Sequence, residues 1–322
     1  MTPDASAQSD RTDRSYRSYQ KQDRPSRRAF LARALGTGAA GALAASCGPL
    51  KLGRAADAWQ IGCYTRPFSQ HDYKVALDAI AEAGFKYVGL MTTKNPPTNL
   101  VISEQTTPEE AAQIGKECRD RGLAVPSCYG GGIPVDEGLE AASAGMRRLV
   151  DNCAAAGVKN LMMGGIGDEK LYDTYYKAIQ TQCGYAAEKG VGVSVKPHGG
   201  LNSTGPELVK TIEFVGNKNF RVWYDPGNIF YYSDAKLNPI DDAPSVDGLV
   251  VGMCVKDYVH PKKVDVTPGD GMVDFPKVMA RLKAGGFTSG PLIIECLSPG
   301  DLAHLIAEAK RAREFVENLV AT

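Results

Sequence analysis

The sequence predicts an α/β protein of the (β/α)8 type, a TIM barrel: one closed ring of eight parallel strands enclosed by helices. From residue 58 onward, a strand-like apolar run and a helix-like amphipathic run alternate eight times. Strictly alternating units build a parallel sheet with right-handed crossovers. Eight of them in about 265 residues suit a closed barrel better than an open doubly wound sheet. In addition, no GxGxxG follows the first strand and no Walker loop is present, which argues against a dinucleotide or nucleotide fold.

The predicted strands are 59–65, 87–92, 124–131, 159–165, 191–198, 221–227, 250–257 and 291–297. Each is a short apolar run that ends in polar residues. Between them, 73–84 and 274–286 show apolar residues at the three-and-four spacing of a helix face. Gly84, Gly122, Gly157, Gly190, Gly216 and Gly286 stand where helices should stop. Asp72, Thr107 and Asp274 are placed to cap helix starts. The sixth helix is poorly marked, because Asn238-Pro239 interrupts the pattern; 230–249 therefore reads as a long, partly helical loop over the barrel mouth.

The domain organisation is a single barrel over 58–322 behind an address segment at 1–47. Residues 26–33 (SRRAFLAR) precede the weakly apolar small-residue run 34–46, a charged region followed by a stretch too short to span a membrane. Arg27-Arg28 with Phe30 and Leu31 resembles a twin-arginine export signal. Ala42-Leu43-Ala44 offers a signal-peptidase site. Cys47 offers a lipid-attachment site instead, with Ala44 in the place of the usual Leu. The expectation is therefore an exported protein, periplasmic or held at the membrane by a lipid anchor, with no transmembrane span.

Composition is ordinary for a globular protein: 322 residues, 43% hydrophobic, 23% charged and formally neutral. Eight of the 37 Lys/Arg and four of the 37 Asp/Glu lie in residues 1–47, which leaves 29 basic against 33 acidic residues in the barrel. A slightly acidic barrel gives no reason to expect a nucleic-acid partner. Of eight cysteines, Cys63, Cys128, Cys254 and Cys296 fall in strands, and Cys118, Cys153 and Cys183 in helical patterns. Without a CxxC or a Cys/His spacing they read as small buried hydrophobes.

In a (β/α)8 barrel, chemistry sits at the C-terminal strand ends. Side-chain alternation in strand five turns Val191, Val193 and Val195 toward the helices and Ser194, Lys196 and His198 into the barrel mouth. In strand seven, Cys254 and Lys256 share one face and Asp257 takes the other. Glu295 ends the apolar run of strand eight, and Asp225 holds the same place on strand six. A carboxylate at a buried strand end is costly unless paired, so both acids are candidate site residues. Tyr64, Arg66, Tyr129, Trp223, Tyr231 and Tyr232 lie at strand tops or on the loops beyond, where aromatic rings could stack on a sugar.

The order of these strand-end motifs, VKPHGG (195–200), YDPGN (224–228), MCVKDY (253–258) and LIIEC (292–296), resembles the xylose-isomerase-like superfamily of sugar (phosphate) isomerases and epimerases, also called AP-endonuclease-2-like barrels. The resemblance implies a divalent metal held by Glu, Asp, His and Glu from strands five to eight. Here those places read Lys196, Asp225, Cys254 and Glu295. It also implies substrate contacts at Asn228, Lys256 and Asp257. Where the family often carries Glu-Asn-His-Gly-Gly, this chain has Lys196-Pro197-His198-Gly199-Gly200, so the carboxylate is gone and the His and glycines persist.

An ammonium offers a metal neither a lone pair nor negative charge. Two cofactor readings follow. Asp225, Glu295 and His198, with Cys254, hold a divalent ion (Mn, Zn or Co), or no metal is bound and Lys196 stands in its electrostatic place. The expected function is an exported isomerase, epimerase or lyase that removes a proton next to the carbonyl of a non-phosphorylated sugar or keto-sugar. Glu295 is the first candidate base, and Lys196, Asp225 and His198 are its catalytic partners. The alternative is a non-catalytic sugar- or partner-binding barrel that has lost its metal site. A nuclease is disfavoured by the acidic balance and by a count of four histidines.

Overall fold

The computed structural model describes residues 59–94 and 98–321. The export signal expected in 1–47, with its alternative at Cys47, lies outside these. The strands are β1 Trp59–Tyr64, β2 Tyr87–Leu90, β3 Ala124–Tyr129, β4 Asn160–Met163, β5 Gly192–Val195, β6 Phe220–Tyr224, β7 Val250–Val255 and β8 Gly290–Ile294. Each pairs in parallel with its neighbours in sequence, and β8 returns to β1 from Trp59↔Gly290 to Cys63↔Ile294, closing the barrel. The predicted (β/α)8 fold is the observed one. Each strand ends earlier than its apolar run, so the last polar residues stand on the rim rather than in the ladder.

The helices are α1 Tyr73–Glu82, α2 Pro108–Asp120, α3 Leu139–Ala156, α4 Glu169–Glu188, α5 Gly205–Val215, α6 Pro226–Ser233, α7 Pro239–Asp242, α8 Phe275–Ala284 and α9 Leu302–Ala321. The expected caps form. Asp72 accepts from Lys74 N–H, Asp274 from Lys277 N–H, and Thr107 makes a reciprocal capping box with Glu110. Gly157 and Gly216 end α3 and α5 with φ of 79° and 61°, a conformation a Cβ would strain.

The segment 230–249 corrects the sequence reading. It is no loop over the mouth: α6 runs from Pro226 to Ser233, and α7 leads into a 3-10 turn at Ala243–Val246 that packs against α5 and α8. Asp242, buried, accepts from Gly205 N–H and from the Tyr224 hydroxyl, which pins this stretch to the outside of the barrel. Asn238-Pro239 is a helix start, with Asn238 accepting from Ile240 N–H, not a break.

The barrel interior is filled by Tyr64, Met91, Met162, Trp223, Cys254 and Ile293. Two glycines make room for the large rings. A Cβ on Gly89 would lie 2.1 Å from Tyr64, and one on Gly252 would lie 2.4 Å from Trp223. The cysteines from Cys63 to Cys296 are buried thiols, as expected of small hydrophobes. Among the described residues no helix is long and apolar enough to cross a membrane.

Candidate active site

Alternation along each strand places the top layer of the barrel two residues above the interior layer. Tyr64, Trp223, Cys254 and Ile293 lie in the lower layer. Two positions on come Arg66, Asp225, Lys256 and Glu295, and Lys196 takes the matching place beyond β5. Asp225, Lys196, Lys256 and Glu295 are all at most 3% exposed. Four charged side chains thus share a site that water barely reaches.

They meet in one cluster. Lys196 Nζ donates to Glu295 Oε1 at 2.9 Å and Oε2 at 2.8 Å, and to Asp225 Oδ2 at 3.4 Å. Lys256 Nζ donates to Asp225 Oδ2 at 3.1 Å and Asn228 Oδ1 at 3.0 Å, and lies 2.6 Å from Glu295 Oε1. Each ammonium has three N–H donors, and each meets three acceptors. Two positive and two negative charges cancel, which is what makes their burial tolerable. Asp225 Oδ1 accepts from Asn228 N–H at 3.0 Å and so caps α6, while Asn228 Nδ2 donates to Pro197 O at 2.6 Å. Asp225-Pro226-Gly227-Asn228 is therefore a helix start whose cap also serves the cluster.

The charges hold one another ionised. Burial opposes protonation of both lysines. For Lys196 its anionic neighbours, Glu295 foremost, together outweigh it, and for Lys256 Asp225 and then Glu295 together do, so both pKa values are raised, that of Lys256 strongly. Burial pushes the other way on Glu295, yet Lys196, Lys256 and Arg66 hold its pKa well below the usual carboxylate range. The neighbouring Cys254 thiol is pushed far up, by burial first and by Glu295 second, and stays protonated.

The remaining predicted residues divide. His198 is exposed at the mouth, with ring centroids of Tyr129 at 6.1 Å and Tyr232 at 5.9 Å. Its ring makes no hydrogen bond among the described residues. Packing on the barrel top first, and the Lys196 ammonium second, lower its pKa to about 4. Tyr129 presents its ring to Lys196 Nζ at 5.9 Å. Arg66 stands on the rim, bonded to Cys296 Sγ and, at 3.1 Å, to Asp265.

Three expected substrate contacts are corrected. Tyr64 and Trp223 are fully buried one layer below the cluster, with the Tyr64 hydroxyl 2.9 Å from Ser127 Oγ, so they are barrel packing. Asp257 points away from the barrel. Its carboxylate accepts from the backbone N–H groups of Tyr258, Gly269, Gly271 and Val273 at 2.8–3.0 Å and folds the loop after β7. Lys256, expected only as a substrate contact, is half of the cationic pair. Its place beside Cys254 on the inward face was visible in the sequence, and its convergence on Glu295 was not.

Ligand atoms of Asp225, Cys254 and Glu295 lie within 4.8 Å of one another, close enough in principle to share a metal ion. His198 stands outside that group. The donor set, however, does not suit a divalent cation. Both Glu295 oxygens and Asp225 Oδ2 already accept from ammonium groups, Asp225 Oδ1 caps a helix, and the Cys254 sulfur carries its proton. A divalent ion would raise the buried charge from zero to plus two beside two ammoniums. The residues present do not fit a metal.

The profile of xylose isomerase-like TIM barrels matches residues 77–319. No curated protein matches the sequence. Among solved structures, a D-psicose 3-epimerase crystallised with D-fructose is similar at 15% identity and a TM-score of 0.64, over 82% of this chain and 100% of that one. A xylose isomerase domain protein from Planctomyces limnophilus is similar at 22% identity and 0.64, over 81% and 97%. A D-psicose 3-epimerase from Clostridium cellulolyticum H10, with D-tagatose, is similar at 14% and 0.62, over 81% and 99%. At these identities the likeness speaks for the fold.

Proposed function

The chain belongs to the xylose isomerase-like TIM barrel family, and on that premise we propose that it is a sugar isomerase or epimerase, or a lyase of the same chemistry, with an ammonium pair as its electrophile. The observation that carries this reading is the buried Lys196–Lys256–Asp225–Glu295 cluster at the barrel mouth. The 3-epimerases among its structural relatives bind ketoses, which agrees with a sugar or keto-sugar substrate.

Removing a proton next to a carbonyl leaves negative charge on that carbonyl oxygen, and donors aimed at it lower the barrier. Lys196 is suited to this. Its contact with Asp225, at 3.4 Å, is the longest of its three, so a substrate oxygen exchanges for it at least cost. Lys256 stays paired with both Asp225 and Glu295 while that exchange takes place.

The same geometry moves the base away from Glu295. A carboxylate held far below its usual pKa by three cations is a weak proton acceptor at neutral pH, so Glu295 acts as an anchor for the lysines; Asp225, whose oxygens already accept from Lys196, Lys256 and the Asn228 N–H, is the second anchor. His198 takes the role of proton acceptor on access rather than basicity: with its pKa lowered to about 4 it is no stronger a base than an ordinary carboxylate, but its ring is neutral at pH 7, exposed, and free of hydrogen bonds among the described residues. Tyr129 and Tyr232 flank it as faces for a sugar ring.

Export through the twin-arginine route, whether the product is periplasmic or lipid-anchored at Cys47, belongs to the same proposal and supports a non-phosphorylated substrate. Fractionation of cells that carry Arg27→Lys/Arg28→Lys tests it. For the reaction, ketoses and keto-glycosides in deuterated water should exchange the proton next to the carbonyl. His198→Ala should lower the exchange rate on the order of 100-fold, within the range for a lost general base. Sugar binding with no exchange would leave only the non-catalytic barrel.

A further inference from the structure

The face opposite the mouth, where the eight strands begin, carries a charge that the barrel as a whole does not. Outside residues 1–47, acids outnumber bases by 33 to 29. The connections that lead from a helical turn into β2–β8 reverse this balance: they hold Lys86, Arg121, Lys159, Lys189 and Lys218 against Asp247 alone. Asp247 is paired with Arg281, and Arg121 with Asp78 and Glu117. Lys86, Lys159, Lys189 and Lys218 are exposed and make no ion pair among the described residues.

Two cavities indent this face. One, of about 400 Å³, lies among Lys159, Lys218 and Arg221; the other, of about 290 Å³, lies beside Arg119 and Lys159 over a floor of Leu123, Val125 and Pro126. Lys159 lines both, and no carboxylate lines either. Glu188 and Glu213, in the last turns of α4 and α5, stay outside both linings. The face is therefore basic, with apolar hollows between its cations. Such a surface suits phospholipid head groups, whose phosphates meet the ammonium and guanidinium groups.

The order of the chain points to the same partner. β1 starts on this face at Trp59, so the segment with the candidate lipid site Cys47 joins the barrel from this side, twelve residues upstream. Twelve residues reach at most about 40 Å. A single acyl chain gives marginal, reversible attachment, and a basic patch supplies the second signal that makes it stable. We propose that the face where the strands begin docks on an anionic phospholipid surface, with the mouth and its Lys196 cluster turned to solvent. The proposal extends the localisation reading and does not depend on the sugar chemistry. It stands on the charge of the face, to which acylation of Cys47 adds a tether.

Co-sedimentation with vesicles tests this, using the full chain with Cys47→Ser so that no attached lipid contributes. Mixed vesicles of phosphatidylcholine and phosphatidylglycerol should bind it more tightly than pure phosphatidylcholine, and raised salt should abolish the difference. Lys159→Gln/Lys218→Gln, both at exposed positions, should weaken binding to the mixed vesicles roughly 25-fold, about fivefold for each cation near an anionic surface. Lys177→Gln/Lys277→Gln, on the outer helices, should change it little. Hydrogen exchange on the vesicles should protect 157–159 and 216–219 and leave 198–202 unprotected. Equal binding to both vesicle types, a Lys159/Lys218 double variant as tight as its parent, or protection at 198–202 in place of the basal loops would overturn the proposal. So would tighter binding to polyglutamate than to the mixed vesicles, the mark of an acidic protein partner. Proton exchange with ketoses, which these variants should not alter, reports on the catalytic reading separately.

Discussion

Replacing Lys196 by Met removes a buried positive charge from a site that sums to zero. The side chain is 1% exposed and makes three contacts with carboxylate oxygens, at 2.8, 2.9 and 3.4 Å. Afterwards the cluster carries a net charge of minus one. Glu295 Oε1 and Asp225 Oδ2 still have Lys256, whereas Glu295 Oε2 loses its ammonium partner. Deleting one partner of a buried pair costs about 3–5 kcal/mol, because the other charge remains buried and uncompensated. In a barrel of this size, that lowers Tm by roughly 10 °C. Urea denaturation with an unchanged m-value and calorimetric melting measure it. Adding Glu295→Gln restores neutrality, and the double variant should recover at least about 1 kcal/mol relative to the sum of the single losses. A Lys196→Met variant that loses less than about 1 kcal/mol, or strict additivity in the double, would refute the argument that these charges compensate one another.

Stability should hold across a wide pH range and fail at both ends. The pKa of Glu295 is lowered on folding. Its contribution is present above its unfolded value near 4.5 and is lost as pH falls below that. Lys196 and Lys256 are raised, so their contribution is present below about 10.5 and is lost as pH climbs through the folded values. Melting temperature against pH should therefore fall below pH 4.5 and above pH 10.5. A maximum confined to neutral pH, unchanged by Lys196→Met, would count against this. Asp257→Ala should cost about 2–4 kcal/mol and open the 258–273 loop to proteolysis, since four N–H groups lose one acceptor. An unchanged cleavage pattern would contradict that role.

The barrel was legible because its information is local and repeated. Short apolar runs and amphipathic helix faces alternate eight times, punctuated by stop glycines such as Gly157, and no one misreading alters the topology. The exception shows the limit. Asn238-Pro239 looked like a break because Pro reads as a breaker, yet at the first turn of a helix its missing N–H costs nothing. The inward set of the site followed from side-chain alternation, which placed Lys196, Cys254 and Lys256 correctly on their strands. Applied to β1 and β6, the same rule puts Tyr64 and Trp223 one layer too deep to meet substrate. Asp257 came from resemblance against its own parity, and parity was the better guide. What no local pattern encodes is how far a side chain on one strand reaches toward another. The meeting of Lys256 with Glu295, and the solvent-facing place of His198, depend on closure of the ring.

Titration of Mn²⁺ into the purified barrel, beside elemental analysis of the protein as isolated, tests directly whether two ammonium groups hold the positive charge of this centre. The wild type should carry no stoichiometric metal, bind none, and keep its proton exchange in the presence of a chelator. Lys196→Glu should acquire a Mn²⁺ site while losing exchange. One equivalent of metal held by the wild type, with exchange that stops when it is removed, would contradict the account.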